Sequence, residues 1–157
     1  AELRQIYRED QEDRKASPDK IDWSVVGPRD AVRFARVKQL EARGQLRSAD
    51  DDYHAAMIMQ HGESETSYAD AYRLSYRAVT LDPTFVKARW LAAASLDRYF
   101  MSRTELQLYG TQYKNLVGNW ILWPVDPRVT DQERARWCVQ PLESAKKTVI
   151  KMNTAFH

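Results

Sequence analysis

The chain has 157 residues and a formal net charge of +2; 43% of its residues are apolar and 29% are charged. This balance is typical of a folded, soluble protein with a hydrophobic core, and we predict a single domain over residues 1–157. The small net charge gives no reason to expect nucleic acid as a partner. No apolar run approaches the ~20 residues that span a bilayer.

Cys138 is the only cysteine, so no intrachain disulfide can form, and we interpret it as a small core residue. The lack of disulfides fits a reducing compartment without requiring one. Residue 1 is Ala rather than Met, as expected after removal of a leader or trimming of the chain. The sequence is therefore compatible with a cytoplasmic location, and equally with secretion or a periplasmic location after removal of a leader.

Two helices are predicted in the first part of the chain. The first covers about 2–15 and ends at Ser17-Pro18, because proline disfavours helical geometry at the residue before it. A connection over 18–27 follows. Pro28 suits the first turn of a second helix, which we predict to end at about residue 43.

Three further helices are predicted in the centre of the chain. Ser48 can cap the third helix, whose apolar face ends at Gln60. Ser67 can cap the fourth helix. The fifth covers about 83–100 and contains the apolar run 90–94, so we expect it to lie at the centre of the domain.

Two helices close the chain. Thr130 caps the first of them through a capping box with Glu133, and this helix continues to about Val139. Pro141 starts the last helix, which ends at about Met152. Together the predicted elements indicate a mainly α fold, a compact single-domain bundle of about six to seven helices.

A short β-hairpin is predicted near 106–125, with Val117-Gly118-Asn119 as its turn and an extended loop as the alternative. Ala71, Ala78 and Pro83 fall near the offsets of the second helix of a tetratricopeptide repeat. No second copy follows at that period. We therefore expect tetratricopeptide-like packing of helix pairs without a solenoid.

Polar residues recur on helix faces that should pack inward. In the first helix, the stripe that begins with Leu3 and Ile6 continues through Asp10, Gln11 and Arg14. A buried charge or amide costs several kcal/mol unless it is paired. The sequence therefore predicts either a polar network in the interior or a site.

These polar residues form a series of short motifs along the chain. In order they are Asp10-Gln11 with Arg14, Gln60-His61, Asp97-Arg98, Gln107, Tyr109-Gly110-Thr111-Gln112, Asp126-Pro127 and Arg134. With these motifs, over roughly residues 2 to 145, the chain resembles a bacterial family of uncharacterised helical domains. The resemblance implies a single, mostly helical domain and carries over no activity.

His61 is the histidine best placed for chemistry. An imidazole can act as a general acid or base, with Asp97 as the candidate to orient it; a bond to a carbonyl is the structural alternative. Arg98 can bind a carboxylate or phosphate with its planar fork, or pair with Asp10. Asp97 can equally pair with Arg14 in a structural network.

The segment Tyr109-Gly110-Thr111-Gln112 is the strongest loop candidate. Gly110 permits a positive φ, and its neighbours bring hydroxyl and amide groups that can orient a small polar ligand. A glycine turn whose polar groups satisfy their own backbone is the alternative. Glutamines such as Gln107 hold geometry and do no proton chemistry, which favours recognition over hydrolysis.

The leading functional hypothesis is a pocket that binds a small polar or anionic molecule. The predicted ligand-binding residues are Gln11, Arg14, Gln60, Arg98, Gln107, Tyr109, Thr111 and Gln112, and the catalytic candidates are His61 and Asp97. No metal and no cofactor are predicted, because the sequence has no His-x-x-His or Cys-x-x-Cys spacing and no glycine-rich phosphate loop.

Two alternatives are open. The first is a metal-independent enzyme with His61 as general acid or base. The second is a protein-interaction module in which the segment from Trp120 to Trp123 contacts a protein partner and the polar motifs are structural.

Overall fold

Residues 2–155, the range that this computed structural model describes, contain seven α-helices, a short 3-10 helix (Pro18–Lys20) and one antiparallel β-hairpin. The helices are α1 (Glu2–Asp13), α2 (Trp23–Ala42), α3 (Ala49–Met59), α4 (Glu65–Leu81), α5 (Val86–Ser102), α6 (Asp131–Arg136) and α7 (Leu142–Thr154). The strands are β1 (Tyr113–Leu116) and β2 (Asn119–Leu122). The predicted mainly α fold with a short hairpin is confirmed. Ala1, Phe156 and His157 lie outside the described range. No helix between residues 2 and 155 has the length and apolar character to cross a membrane.

Helices α3, α4 and α5 pack in succession and form the centre of the core. Ala56, Ala71 and Ala92 are fully buried, and their small side chains let these helices lie close together around Ile58 and Leu91. Helices α1 and α2 pack against each other and against α3. This consecutive pairing of helices agrees with the packing that the sequence predicts.

Helix α2 begins at Trp23, earlier than the predicted start at Pro28. The Asp22 side chain caps the helix by accepting a hydrogen bond from the Ser24 N–H at 3.1 Å. Pro28 lies in the second turn, where its missing N–H removes one bond, to the Ser24 carbonyl. The Asp22 cap therefore outweighs the preference of proline for the first turn, and it places Trp23 at the start of α2.

Helix α4 is capped by Ser64 and not by Ser67, so that prediction was wrong by one turn. The Ser67 N–H donates to Ser64 Oγ at 3.1 Å, and the Ser64 N–H donates to Ser67 Oγ at 3.2 Å. This is a capping box in which Ser67 takes the place of the usual Glu or Gln, so the sequence motif is difficult to recognise. Gly62 is required just before it, because a Cβ there would lie 2.3 Å from Ser67 Oγ. This close approach shapes the turn that carries His61.

The hairpin follows the predicted turn, with Val117 at φ 50° and Gly118 at φ 85°. Left-handed geometry at both positions suits a two-residue hairpin turn. The hairpin packs on α7, where the Asn153 side chain donates to the Trp120 carbonyl at 2.9 Å and accepts from its N–H at 2.8 Å. Trp120 and Trp123 are half-buried. Their placement favours closing the end of the core over forming an open partner surface.

Acid is expected to destabilise the protein by protonating carboxylates held in ion pairs. Hydrogen bonds from Arg128 lower the pKa of Asp126 to about 2, and hydrogen bonds from Arg73 lower the pKa of Glu41. A carboxyl with a lowered folded-state pKa contributes stability above its unfolded value, near pH 4, and this contribution is lost as the pH falls toward the folded value. We therefore expect the free energy of unfolding to fall between about pH 4 and pH 2.

Urea denaturation at neutral pH and at two acidic pH values measures this loss. Asp126→Asn should lose less stability on acidification than the wild type, because it has one fewer carboxyl to protonate. Parallel losses in the two proteins would contradict the assignment.

Candidate functional site

The predicted site residues separate into two clusters in the structure. The loop cluster consists of Asp97, Gln107, Tyr109, Thr111 and Gln112. The cleft cluster consists of Arg14, Gln60, His61 and Arg98. Gln11 does not line the cleft, which corrects its prediction as a ligand-binding residue; its side chain donates to Asp10. The sequence placed residues of both clusters in one pocket, and this is corrected: within residues 2–155, no member of the loop cluster lines the cleft described below.

Asp97 organises the segment that follows α5. Its Oδ1 accepts the N–H groups of Leu108 at 2.7 Å and Tyr109 at 2.9 Å. Its Oδ2 accepts the N–H of Thr111 at 3.0 Å and the hydroxyl of the same residue at 2.7 Å. Burial raises the pKa of Asp97, against the effect of these four donors. Gly110 turns the chain between them with φ 80°.

The glutamines of the loop cluster also form internal hydrogen bonds. Gln107 is fully buried, and its Nε2 donates to the carbonyls of Gln112 at 3.0 Å and Trp123 at 2.6 Å. Its Oε1 accepts the Gln112 N–H at 2.9 Å. The Gln112 side chain donates to Thr111 Oγ1 at 3.0 Å. These side chains therefore bond within the protein, and none of them lines the cleft.

Asp10 on α1 is the carboxylate that holds His61 and Arg14, which corrects the prediction that Asp97 does so. Asp10 is fully buried. Its Oδ1 accepts from Arg14 Nη1 at 2.9 Å and from His61 Nδ1 at 3.0 Å, and its Oδ2 accepts from Gln11 Nε2 at 2.8 Å. An ionised carboxylate accepts and cannot donate, so the proton of a neutral His61 lies on Nδ1 and the lone pair on Nε2.

Two residues of α2 that were missed in the sequence complete this network. Asp30 accepts from Arg14 Nη2 at 2.5 Å and from Arg33 Nη1 at 3.0 Å. Arg33 Nη2 donates to Asp13 at 2.5 Å. Burial lowers the pKa of Arg33, but hydrogen bonds with Asp13 and Asp30 outweigh burial and raise it. The three-residue spacing of Asp30 and Arg33 on one helix is the signal in the sequence that indicates such a pair.

A cleft of about 370 Å³ is formed where the connection between α1 and α2 meets the turn after α3. Its apolar lining comes from that connection and the start of α2, namely Ala16, Pro18, Ile21 and Trp23. Its polar lining comes from the residue after α1, the turn after α3, and helices α4 and α5, namely Arg14, Gln60, His61, Glu63, Tyr68 and Arg98. The cleft therefore combines cationic groups with an apolar surface.

Arg98 is the cationic group of this cleft that lacks a counter-ion. No carboxylate of the described residues pairs with it, and its Nε is buried without a hydrogen-bond partner. Burial lowers the pKa of Arg98, and the Tyr68 hydroxyl is the neighbour that counteracts this effect. Arg89 also has an unpaired Nε, but at about 100° per residue it lies on the opposite side of α5.

Within the described range, no three His, Cys, Asp or Glu side chains are grouped so that they could hold a metal ion. No protein-family model, curated protein or solved structure matches the chain. The resemblance to bacterial helical domains stays a prediction.

Proposed function

We propose that this cleft binds a small anionic ligand through Arg98. The observation that carries the proposal is that Arg98 lines the cleft without a carboxylate partner among the described residues, and that its buried Nε has no hydrogen-bond partner. An unpaired buried charge costs several kcal/mol, and an anion bound beside it would recover part of that energy. The planar guanidinium suits this role, since it presents parallel N–H donors to a carboxylate or phosphate.

The neighbouring groups support recognition. Arg14 and His61 are paired with buried carboxylates, which holds both side chains in place at the cleft. Gln60 and Tyr68 add an amide and a hydroxyl to the lining, the kind of neutral polar groups that orient a ligand. The enzyme hypothesis stays a prediction, with Asp10 in place of Asp97 as the residue that orients His61.

Arg98→Met is expected to abolish anion binding while keeping the apolar stem of the side chain. Sodium acetate and sodium phosphate, compared with chloride at constant ionic strength, should raise the Tm of the wild type. They should leave the Tm of Arg98→Met unchanged, because a ligand stabilises only the folded state that binds it. Differential scanning fluorimetry measures both proteins.

Arg103→Met is the matched control. Arg103 follows the last residue of the same helix, is exposed, and pairs with Glu105 at 2.9 Å. This variant should keep the anion-dependent rise in Tm. The proposal would be contradicted by a rise that persists in Arg98→Met, or by a wild type that responds to neither anion.

A further inference from the structure

The apolar lining of the cleft indicates what kind of anion fits it. Trp23 is 52% exposed, although it is a large aromatic residue. Its indole N–H donates to the Pro18 carbonyl at 3.3 Å, which ties the ring to the connection between α1 and α2. Ile21 and Pro18 lie on the same lining. An exposed, oriented aromatic ring on the lining that also contains Arg98 provides apolar contact area for the body of a ligand.

The charged side chains around the cleft limit how much negative charge a ligand can bring into it. Both guanidinium Nη atoms of Arg14 are bonded to Asp10 and Asp30, and His61 Nδ1 is bonded to Asp10. These pairs leave Arg98 as the cation on the cleft lining that has no carboxylate partner among the described residues. The Glu63 carboxylate also lies on the lining and repels additional negative charge.

We infer that the ligand is an organic monocarboxylate with an apolar, ring-sized body. The carboxylate pairs with Arg98, and the body packs against Trp23. This inference rests on the proposed function and specifies its ligand class. A polyphosphate or nucleotide fits poorly, because it would bring several charges to one unpaired cation. The volume of about 370 Å³ lies near the lower end of the range of about 300–1,000 Å³ seen for small-molecule pockets.

Isothermal titration calorimetry with phenylacetate, acetate and inorganic phosphate tests this assignment on the full chain. In the wild type, phenylacetate should bind at least about tenfold more tightly than acetate, because the ring buries apolar area that acetate lacks. Trp23→Ala should bring the two affinities together, because the phenylacetate ring loses the apolar surface on which it packs. Trp23→Phe should keep most of the preference.

Trp90→Ala is the matched control, since Trp90 is 42% exposed on α5 and does not line this cleft. It should bind all three probes as the wild type does. The monocarboxylate assignment would be overturned if the wild type bound phenylacetate and acetate equally, or bound phosphate more tightly than phenylacetate. It would also be overturned if Trp23→Ala kept the preference for phenylacetate over acetate. If acetate binding still depended on Arg98 in that case, the proposed anion site would remain supported. If the wild type bound none of the three probes, the anion site and the monocarboxylate assignment would both be overturned.

Discussion

Replacing Asp97 with alanine is expected to lower the free energy of unfolding by about 3 kcal/mol. The change would leave the N–H groups of Leu108, Tyr109 and Thr111 without their acceptor, and the Thr111 hydroxyl would lose its partner as well. Part of the loss is offset because the burial that raises the pKa of Asp97 also opposes its charge. Urea denaturation monitored by circular dichroism measures the difference.

Asp97→Asn is the informative second variant, because it keeps one carbonyl oxygen and turns an amide donor toward the other N–H groups. It should be destabilised as well, and hydrogen exchange should be faster at Leu108, Tyr109 and Thr111 in both variants. A free energy of unfolding within about 0.5 kcal/mol of the wild type, typical of a surface change, would show that Asp97 does not hold this loop.

Asp10→Ala is expected to cost about 3 kcal/mol, because it leaves two buried donors without their acceptor, while Arg14 keeps Asp30 as its one counter-ion. Arg14 Nη1 and His61 Nδ1 both donate to the lost oxygen. Glu12→Ala provides the control on the same helix, since Glu12 is exposed and pairs with Lys15 at the surface. That control should stay within about 0.5 kcal/mol of the wild type.

Chemical denaturation of the three proteins at neutral pH compares these values. If Asp10→Ala matched Glu12→Ala, the buried network would contribute little and the core alone would hold α1 in place. A large loss confined to Asp10→Ala would show that the polar stripe of α1 is structural in origin, although it lies beside the cleft.

Much of the fold could be predicted because local signals coincide with it. Ser48 caps α3, and Thr130 with Glu133 caps α6, as their spacing indicates. The predicted starts of two helices were wrong, because in each case a less familiar capping signal sets the first residue. Asp22 begins α2 ahead of Pro28, and a box of two serines begins α4.

The site could be predicted only in part, because adjacent residues on a helix point about 100° apart. Asp97 and Arg98 share one motif in the sequence, yet Asp97 binds the segment 108–111 and Arg98 lines the cleft. Sequence spacing cannot show which of the two turns inward. The role of Asp30 could not be predicted for a related reason, since its pairing with Arg14 joins α2 to a residue sixteen positions earlier, just after α1.

The two clusters differ in whether their polar groups have partners within the protein. In the loop cluster, every Asp97 and Gln107 side-chain oxygen or nitrogen has a partner in the protein. Such a satisfied network stabilises the fold. In the cleft, Arg98 keeps an unpaired buried donor, which is the kind of exception that points to a bound group.

The most direct test of the cleft is the side-chain Nε–H resonance of Arg98 in a ¹H–¹⁵N spectrum, identified by its absence in Arg98→Met. The protein would be titrated with acetate, phosphate and phenylacetate in turn at constant ionic strength. Anion binding predicts that the Arg98 resonance shifts and saturates with at least one of them, while the Arg103 resonance stays in place. An Arg98 resonance that does not move with any of the three, or that moves only together with Arg103 and without saturation, would contradict an anion site at Arg98.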